Sequence, residues 1–309
     1  MSDEFNVVRA SDVKEPADGQ HRWLIESLWG AGAVGVIGGA PKCGKTWLAL
    51  EMATAVASGR PCLGRFAVAG AAPVLVYAAE DAPPQVRERL ENLAQARGVD
   101  FAALDVRLIV EPSLRIDRAE DLRRLRATIA RHRPRLLVLD PYVRLQNIDE
   151  NDARQVSAIL GALRELSRAF ELAIVLVHHA RKAPAGELGQ ALRGSSDFHA
   201  WGDSNLYLQR RGDGMVLSIE HRAAAAPPAV GLSLADDGPV RLEVRDLPVG
   251  SAEGALAERI LRALSQGPRR LEDLRSLLRV RKQELCEALR ELESSGRVRR
   301  TDAGWSAAA

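Results

Sequence analysis

The chain has 309 residues, 46% hydrophobic and 27% charged, the composition of an ordinary soluble globular protein with one large domain and a small one, or two mid-sized ones. Its net charge of +2 excludes attraction of a partner by a global field, so nucleic-acid binding would have to come from local patches. Aromatics are only 4%, which leaves the core to Leu, Val, Ile and Ala, and Cys43, Cys62 and Cys286 form no CxxC pair and no zinc spacing, as fits a reducing cytoplasm.

Residues 1–21 are polar, carry Pro16 and Gly19, and read as a loose arm. Their acidic start is no signal peptide. No apolar run approaches the ~18 residues of a membrane span. The expectation is a cytoplasmic protein without membrane contact.

Residues 22–247 read as one α/β domain. Short apolar runs alternate there with helical patterns. The runs are Ala33–Ile37, Val74–Ala78, Val106–Val110, Leu136–Leu139, Leu172–Val177, Asn205–Leu208, Met215–Ile219 and Val240–Val244. The first five are almost unbroken in Val, Ile, Leu and Ala, which predicts strands buried on both faces of a parallel sheet. Helical patterns fall near Thr46–Ala57, Pro83–Arg97, Ala119–Arg131 and Asp152–Phe170. The last three runs follow one another closely and predict antiparallel strands at one edge. The pattern breaks over residues 248–254, a linker. Residues 255–309 then give helical patterns at Ala255–Ser265, Leu271–Leu278 and Lys282–Ser295, with a hairpin over Arg297–Trp305. That layout predicts a small winged helix-turn-helix domain.

The strongest motif is Gly39-Ala40-Pro41-Lys42-Cys43-Gly44-Lys45-Thr46. It matches GxxxxGK[ST] between an expected strand and an expected helix, the context a P-loop needs. The glycines let backbone N–H groups turn around phosphates, and the helix N-terminus adds partial positive charge. Lys45 would reach the β and γ oxygens of ATP, and Thr46 would ligate Mg²⁺. Arg135-Leu-Leu-Val-Leu-Asp140 is an apolar strand ending in an acid, the Walker B pattern, with Asp140 on the metal side. Val74-Leu-Val-Tyr-Ala-Ala-Glu80-Asp81 places a carboxylate at a strand's carboxyl end, where ligands sit in α/β sheets. Glu80 is the candidate to orient and deprotonate the attacking water, with Asp81 behind it.

Together these motifs resemble the RecA-like ATPases, and most closely the plasmid-replication RepA group within the DnaB-like helicase superfamily. In that group the catalytic glutamate ends the second strand, as Glu80 does here. Ile174-Val-Leu-Val-His178-His179 looks like the strand whose polar end senses the γ-phosphate, with His178 preferred and His179 beside it. The order of Leu192-Arg-Gly-Ser-Ser196, Asp203–Gln209 and Val216–Arg222 resembles DnaB-like helicases, in which a Lys-x-Arg reaches a neighbouring subunit's ATP. Arg222 keeps the arginine position and Glu220 replaces the lysine. Arg210, Arg211 or no trans arginine at all are the alternatives. The resemblance implies a homo-oligomer, a hexameric ring with ATP between subunits and single-stranded DNA in its pore.

Two stretches would face such a pore, Pro141–Asn151 and Lys182–Ser195, and Tyr142 is their one aromatic. The C-terminal unit is the better candidate for DNA. From residue 251 on it carries twelve Arg and Lys against nine Asp and Glu. Arg281, Lys282 and Gln283 start the helix that resembles a recognition helix, and Arg297, Arg299 and Arg300 lie on the wing. The leading expectation is a RepA-like, DNA-dependent ATPase or helicase acting in replication. The alternative is an ATP-switched DNA-binding regulator without translocation. A small-molecule phosphotransferase is disfavoured, because the arginine-rich residues 113–135 read as a surface helix.

Overall fold

A computed structural model describes residues 7–12, 22–146, 153–179, 196–247, 252–278, 280–301 and 303–307. Most of the two pore-facing stretches, with Lys182 and Arg193, lies outside the described residues, as does Asp302 of the expected hairpin turn.

A short hairpin, β1 (Trp23–Ile25) and β2 (Trp29–Gly30), precedes the central strand β3 (Val34–Gly39). Then come α1 (Lys45–Ser58), β4 (Val74–Ala78), α2 (Pro83–Ala96), β5 (Val106–Leu108), α3 (Ala119–His132), β6 (Leu136–Asp140), α4 (Ala153–Phe170) and β7 (Ala173–His179). A short α5 (Ser196–Trp201) leads to β8 (Ser204–Arg211), β9 (Gly214–His221), β10 (Val230–Ala235) and β11 (Arg241–Arg245). Nine strands form one sheet in the order β11-β10-β9-β8-β3-β7-β6-β4-β5. From β8 to β5 all neighbours are parallel, and β8, β9, β10 and β11 pair antiparallel.

The unbroken apolar runs do what unbroken runs require. Every residue of β3 and of β6 is buried, because helices cover both faces of the sheet. Period-two alternation divides the side chains between two clusters. Val74, Val76, Val138, Val175 and Val177 pack with α1 and α2 on one face. Leu75, Tyr77, Leu137, Leu139, Ile174 and Leu176 pack on the α3–α4 face. Helix α1 is buried along most of its length, so its sequence is apolar on nearly all sides. Its buried Glu51 accepts from Leu63 N (2.6 Å) and from the Arg97 guanidinium.

Two expectations need correction, and two elements were not foreseen. Val106–Val110 is not a strand buried on both faces: β5 is short, ends the sheet and is half-buried to exposed. The last run, β11, does not pair with β9, because β10 intervenes. Its sequence, Val230-Gly-Leu-Ser-Leu-Ala235, is diluted by glycine and serine and follows two prolines. Neither the β1–β2 hairpin nor α5 was expected, both being too short to show a period.

Close backbone approach explains Gly35. A Cβ there would lie 1.7 Å from the carbonyl oxygen of Ser204, since β8 begins directly against β3. Just before their ladder starts, Asp203 Oδ2 accepts from Val34 N and Asn205 Oδ1 from Val36 N, each at 3.2 Å.

Beyond residue 251, α6 (Ala252–Leu264), α7 (Leu271–Leu278) and α8 (Lys282–Ser294) precede a hairpin of β12 (Val298–Thr301) and β13 (Gly304–Ala307). They share their own core of Leu256, Ile260, Leu274, Leu285, Leu289 and Leu292, with Trp305 packed against it. No helix among the described residues is long and apolar enough to cross a membrane.

Candidate functional site

The parallel strands end together at one edge of the sheet, where β3 runs into the loop before α1. Gly44 has φ +91°, a left-handed conformation that costs a side chain dearly and glycine nothing. It turns the chain so that α1 starts at Lys45 with its free N–H groups toward the edge. Above them lies a cleft of about 710 Å³, a size typical of small-ligand sites. Lys42–Trp47, Glu80, Asp81, Arg89, Asp140, His179 and Arg210 line it, and Met215, Leu234 and Leu242 of the antiparallel strands form an apolar side.

Lys45 Nζ donates to the carbonyls of Gly39 (3.0 Å) and Ala40 (2.8 Å), so the ammonium is held inside its own loop. Burial pushes its pKa down. Thr46 Oγ1 donates to Asp140 Oδ2 at 2.6 Å. The strand β7 stands between β3 and β6, and this spacing sets Asp140 across the cleft from the P-loop. Burial raises the Asp140 carboxyl to about 6, with Asp81 and Glu80 adding like charge and the Thr46 hydrogen bond and Lys45 opposing them. A desolvated carboxylate joined to a hydroxyl is a hard oxygen donor pair of the kind Mg²⁺ takes, and a cation there would relieve the cost of the buried charge. Cys43 is also buried, and desolvation raises its thiol pKa. It packs within the loop, where it would lie 2.7 Å from a Cβ on Gly39.

The two acids after β4 differ in their partners. Asp81 is bound twice by Arg89, whose guanidinium also lies over the Trp47 ring. Among the described residues Glu80 takes a single contact, Oε1 from Arg144 Nε at 3.1 Å, and its side chain is 45% exposed. A bidentate pair occupies both oxygens of Asp81, while Glu80 keeps one free. Ala79 N donates to Asp140 O (2.7 Å), which ties the ends of β4 and β6 and carries Glu80 to the cleft.

The two histidines point to opposite faces, as period two demands. The expected sensor, His178, is not on the cleft. It is 6% exposed, stacked on Phe198 at 4.4 Å and edge-on to Tyr142 at 5.8 Å. Burial pushes its pKa down to about 4, with His179 and Lys45 adding to the shift. His179 lines the cleft, and its buried Nδ1 has no hydrogen-bond partner among the described residues. Burial first, then Lys45, lowers its pKa.

Arg222 lies far from its own P-loop. It follows β9, opposite the start of β8, at the other edge of the sheet. Its N donates to Asp203 O at 2.9 Å, and its guanidinium donates to Ala200 O and lies 3.7 Å from Asp203 Oδ1. The alternative Arg210, near the opposite end of β8, reaches the cleft of its own chain. Arg281, Lys282, Gln283, Arg297 and Arg299 are all exposed. Lys282 lies 3.9 Å from Glu272, and Gln283 donates to Glu287 at 3.0 Å.

The motifs did not disclose Arg89, Arg144 and Trp47 as parts of this site. Arg144 was legible in principle: it follows Asp140 by four residues, and strands β4 and β6 are neighbours. The apolar side could not be found by motif, because it comes from strands that begin only at Gly214, far downstream of the P-loop.

Comparison with known proteins agrees with this geometry. One solved ATPase domain is 16% identical at a TM-score of 0.51, over 65% of this chain and 81% of that one. The RadB recombinase is 16% identical at 0.51, over 70% and 92%. A DnaB-like replicative helicase, solved in a study of its interactions with primase, is 15% identical at 0.54, over 69% of this chain and 59% of that one. This chain thus spans less than two thirds of that helicase. These likenesses establish a RecA-like α/β core, a mostly parallel sheet flanked by helices. The AAA domain family matches residues 2–185, more than half the chain and the whole stretch from P-loop to histidine pair. The chain belongs to the AAA domain family of P-loop ATPases.

Proposed function

We propose that this protein is an oligomeric, RepA-like ATPase that binds and hydrolyses Mg-ATP in the β3–α1 cleft and acts on DNA in replication. The observation that carries the ATPase reading is the meeting of Lys45, Thr46, Asp140 and Glu80 at one edge of the sheet. The N–H groups of Lys42–Thr46 at the start of α1 cradle the phosphates. Lys45 leaves the Gly39 and Ala40 carbonyls to pair with phosphate oxygens. Thr46 and Asp140 would hold Mg²⁺, which supplies charge neutralisation on the phosphate oxygens when bound. Glu80, freed from Arg144, orients a water and takes its proton. His179, not His178, is the strand-end residue placed to sense the γ-phosphate. Arg222 is assigned to a neighbouring subunit's nucleotide, since its own lies at the other end of β3. On this reading residues 22–247 form the motor domain. Residues 255–309 form a winged-helix domain that presents Arg281, Lys282 and Gln283 to base edges and Arg297 and Arg299 to phosphates.

A second reading has a specific support. Arg222 is held in its own chain by Asp203 and Ala200, and Glu220 stands where a helicase-like lysine is expected. An ATP-switched DNA-binding regulator needs neither in trans.

The deciding measurement is ATP hydrolysis without DNA, with single strands and with duplex, beside Glu80→Gln and Arg222→Ala. The motor reading expects single-strand stimulation, and a loss of about 10²–10⁴-fold on removing the base. Slow, DNA-indifferent turnover that needs Glu80 and not Arg222 leaves the regulator.

A further inference from the structure

A second cleft, about 780 Å³, opens at the edge of the sheet opposite the P-loop. The β1–β2 hairpin, the loop before β4, the residue leading into β6 and the end of α4 enclose it. Arg135 leads into β6 and Asp140 ends it, so about 17 Å of strand separates this cleft from the nucleotide site.

Its chemistry is unlike that of the first. Three guanidiniums, Arg22, Arg135 and Arg168, border it against one carboxylate, Glu171. Arg135 reaches Glu171 only at 3.7 Å, with both side chains largely in solvent, so the pair is easily exchanged for another anion. Among the described residues Arg168 has no ion-pair partner, and Arg22 uses its guanidinium on the Ala223 carbonyl. The half-buried ring of Trp23 lines the same cleft. His221 braces it edge-on at 4.7 Å, and the Arg22 guanidinium lies 5.7 Å from its centroid. The small-side-chain run Ala69-Gly-Ala-Ala72 also lines the cleft, starting beside β1 where Ala69 N donates to Leu24 O. The basic surface also continues outward. Exposed Arg126 on α3 lies over Phe170, the neighbour of Glu171, and Arg133 precedes Arg135 by two residues.

We propose that this cleft binds a short segment of single-stranded nucleic acid, with a base stacked on Trp23 and its phosphates on Arg135, Arg168 and Arg22. An aromatic platform flanked by arginines is the combination single strands use: the ring accepts any base, and the guanidiniums track the backbone. An acidic peptide would use the arginines and leave the braced ring unexplained. A free mononucleotide would leave Arg126 and Arg133 unused. The site is independent of the nucleotide cleft and of the C-terminal unit.

The test is fluorescence anisotropy of a labelled short oligothymidylate with the intact chain, without ATP, across a salt series. The comparison is with Arg135→Ala/Arg168→Ala, Trp23→Leu, Trp23→Tyr and, as a control, Arg281→Ala/Lys282→Ala. The expected result is a loss of roughly tenfold or more in the double arginine variant. Its log–log salt slope should flatten by about 1.4, two phosphate contacts at about 0.7 each. Trp23→Leu should weaken binding roughly tenfold and Trp23→Tyr should restore it, because either ring can stack. The arginine variant's DNA-free ATP hydrolysis should stay at the wild-type rate, which reports an intact fold. Unchanged affinity and slope in that variant, or no binding by the wild type, would overturn the proposal. So would loss confined to the Arg281→Ala/Lys282→Ala chain. Thymidine monophosphate competing as well as the oligomer would assign the cleft to a mononucleotide and overturn the strand. Binding that emerges only after removal of residues 1–21 would give the cleft in the intact chain to its own acidic arm.

Discussion

At the scale of single residues, the histidine pair after Val177 separates two kinds of burial. His178 packs against Phe198 and Tyr142 in an apolar cluster, and its neutral form is the one the fold accepts. Its folded pKa of about 4 lies below the ordinary 6.5. The unfolded chain therefore binds a proton first as pH falls. The stability tied to the neutral ring is present above about 6.5 and is lost as pH drops toward 4, up to about 3 kcal/mol. In His178→Phe, which keeps a ring in the stack, the midpoint of urea unfolding should change less between pH 7 and pH 4 than in the wild type. An equal acid loss in both would remove His178 as the cause. His179 predicts the reverse pattern, since its ring faces the cleft. His179→Ala should cut ATP turnover by about tenfold or more and change the thermal midpoint little, a contrast that melting curves and steady-state rates read together. A single sequence does not disclose this division, because both histidines stand at a strand end. Only the face that Ile174 and Leu176 already occupy decides which of them turns inward.

At the scale of elements, the parallel half of the sheet was legible because β3, β4, β6 and β7 are unbroken apolar runs with helices between them. Their buried partners make the pattern dense. Strand β10 was not legible. Only Val230 and Leu232 of it reach the core, and Leu234 turns to the cleft side, 46% exposed. The β1–β2 hairpin escaped for a similar reason: Leu24, Ile25, Leu28 and Trp29 bury themselves without periodicity, and Trp23 only by half. The contact between β3 and β8 is the element-level weak point. Gly35→Ala would drive a methyl group into the Ser204 carbonyl, backbone against backbone, with no flexible side chain to yield. It should destabilise the chain by about 3 kcal/mol or more, as seen in chemical denaturation, and should weaken ATP binding by disturbing the strand that leads into the P-loop. A melting temperature equal to wild type would show that β8 can retreat.

At the scale of the whole molecule, the described residues form three hydrophobic clusters, one on each face of the nine-stranded sheet and a separate one of three helices and a hairpin. A chain ending at residue 247 should therefore keep ATP binding and Glu80-dependent turnover. It should lose duplex binding if α8 and the hairpin carry it, which a gel-shift series on both chains would read. Loss of nucleotide binding in the shorter chain would mean that the C-terminal unit completes the cleft. The family match ends at residue 185, whereas the sheet does not. A fragment cut there would retain the P-loop, Glu80, Asp140 and both histidines. It would lose β8, which pairs Leu206, Tyr207 and Leu208 with Ile37, Gly38 and Gly39. A strand buried at every residue would then end the sheet, with the backbone donors and acceptors on its β8 side unpaired and no charge to guard them. Such an edge recruits other strands. A fragment drawn to the family boundary should therefore precipitate or form fibrils while carrying every motif of a working enzyme, and its insolubility would say nothing about the chemistry of the site.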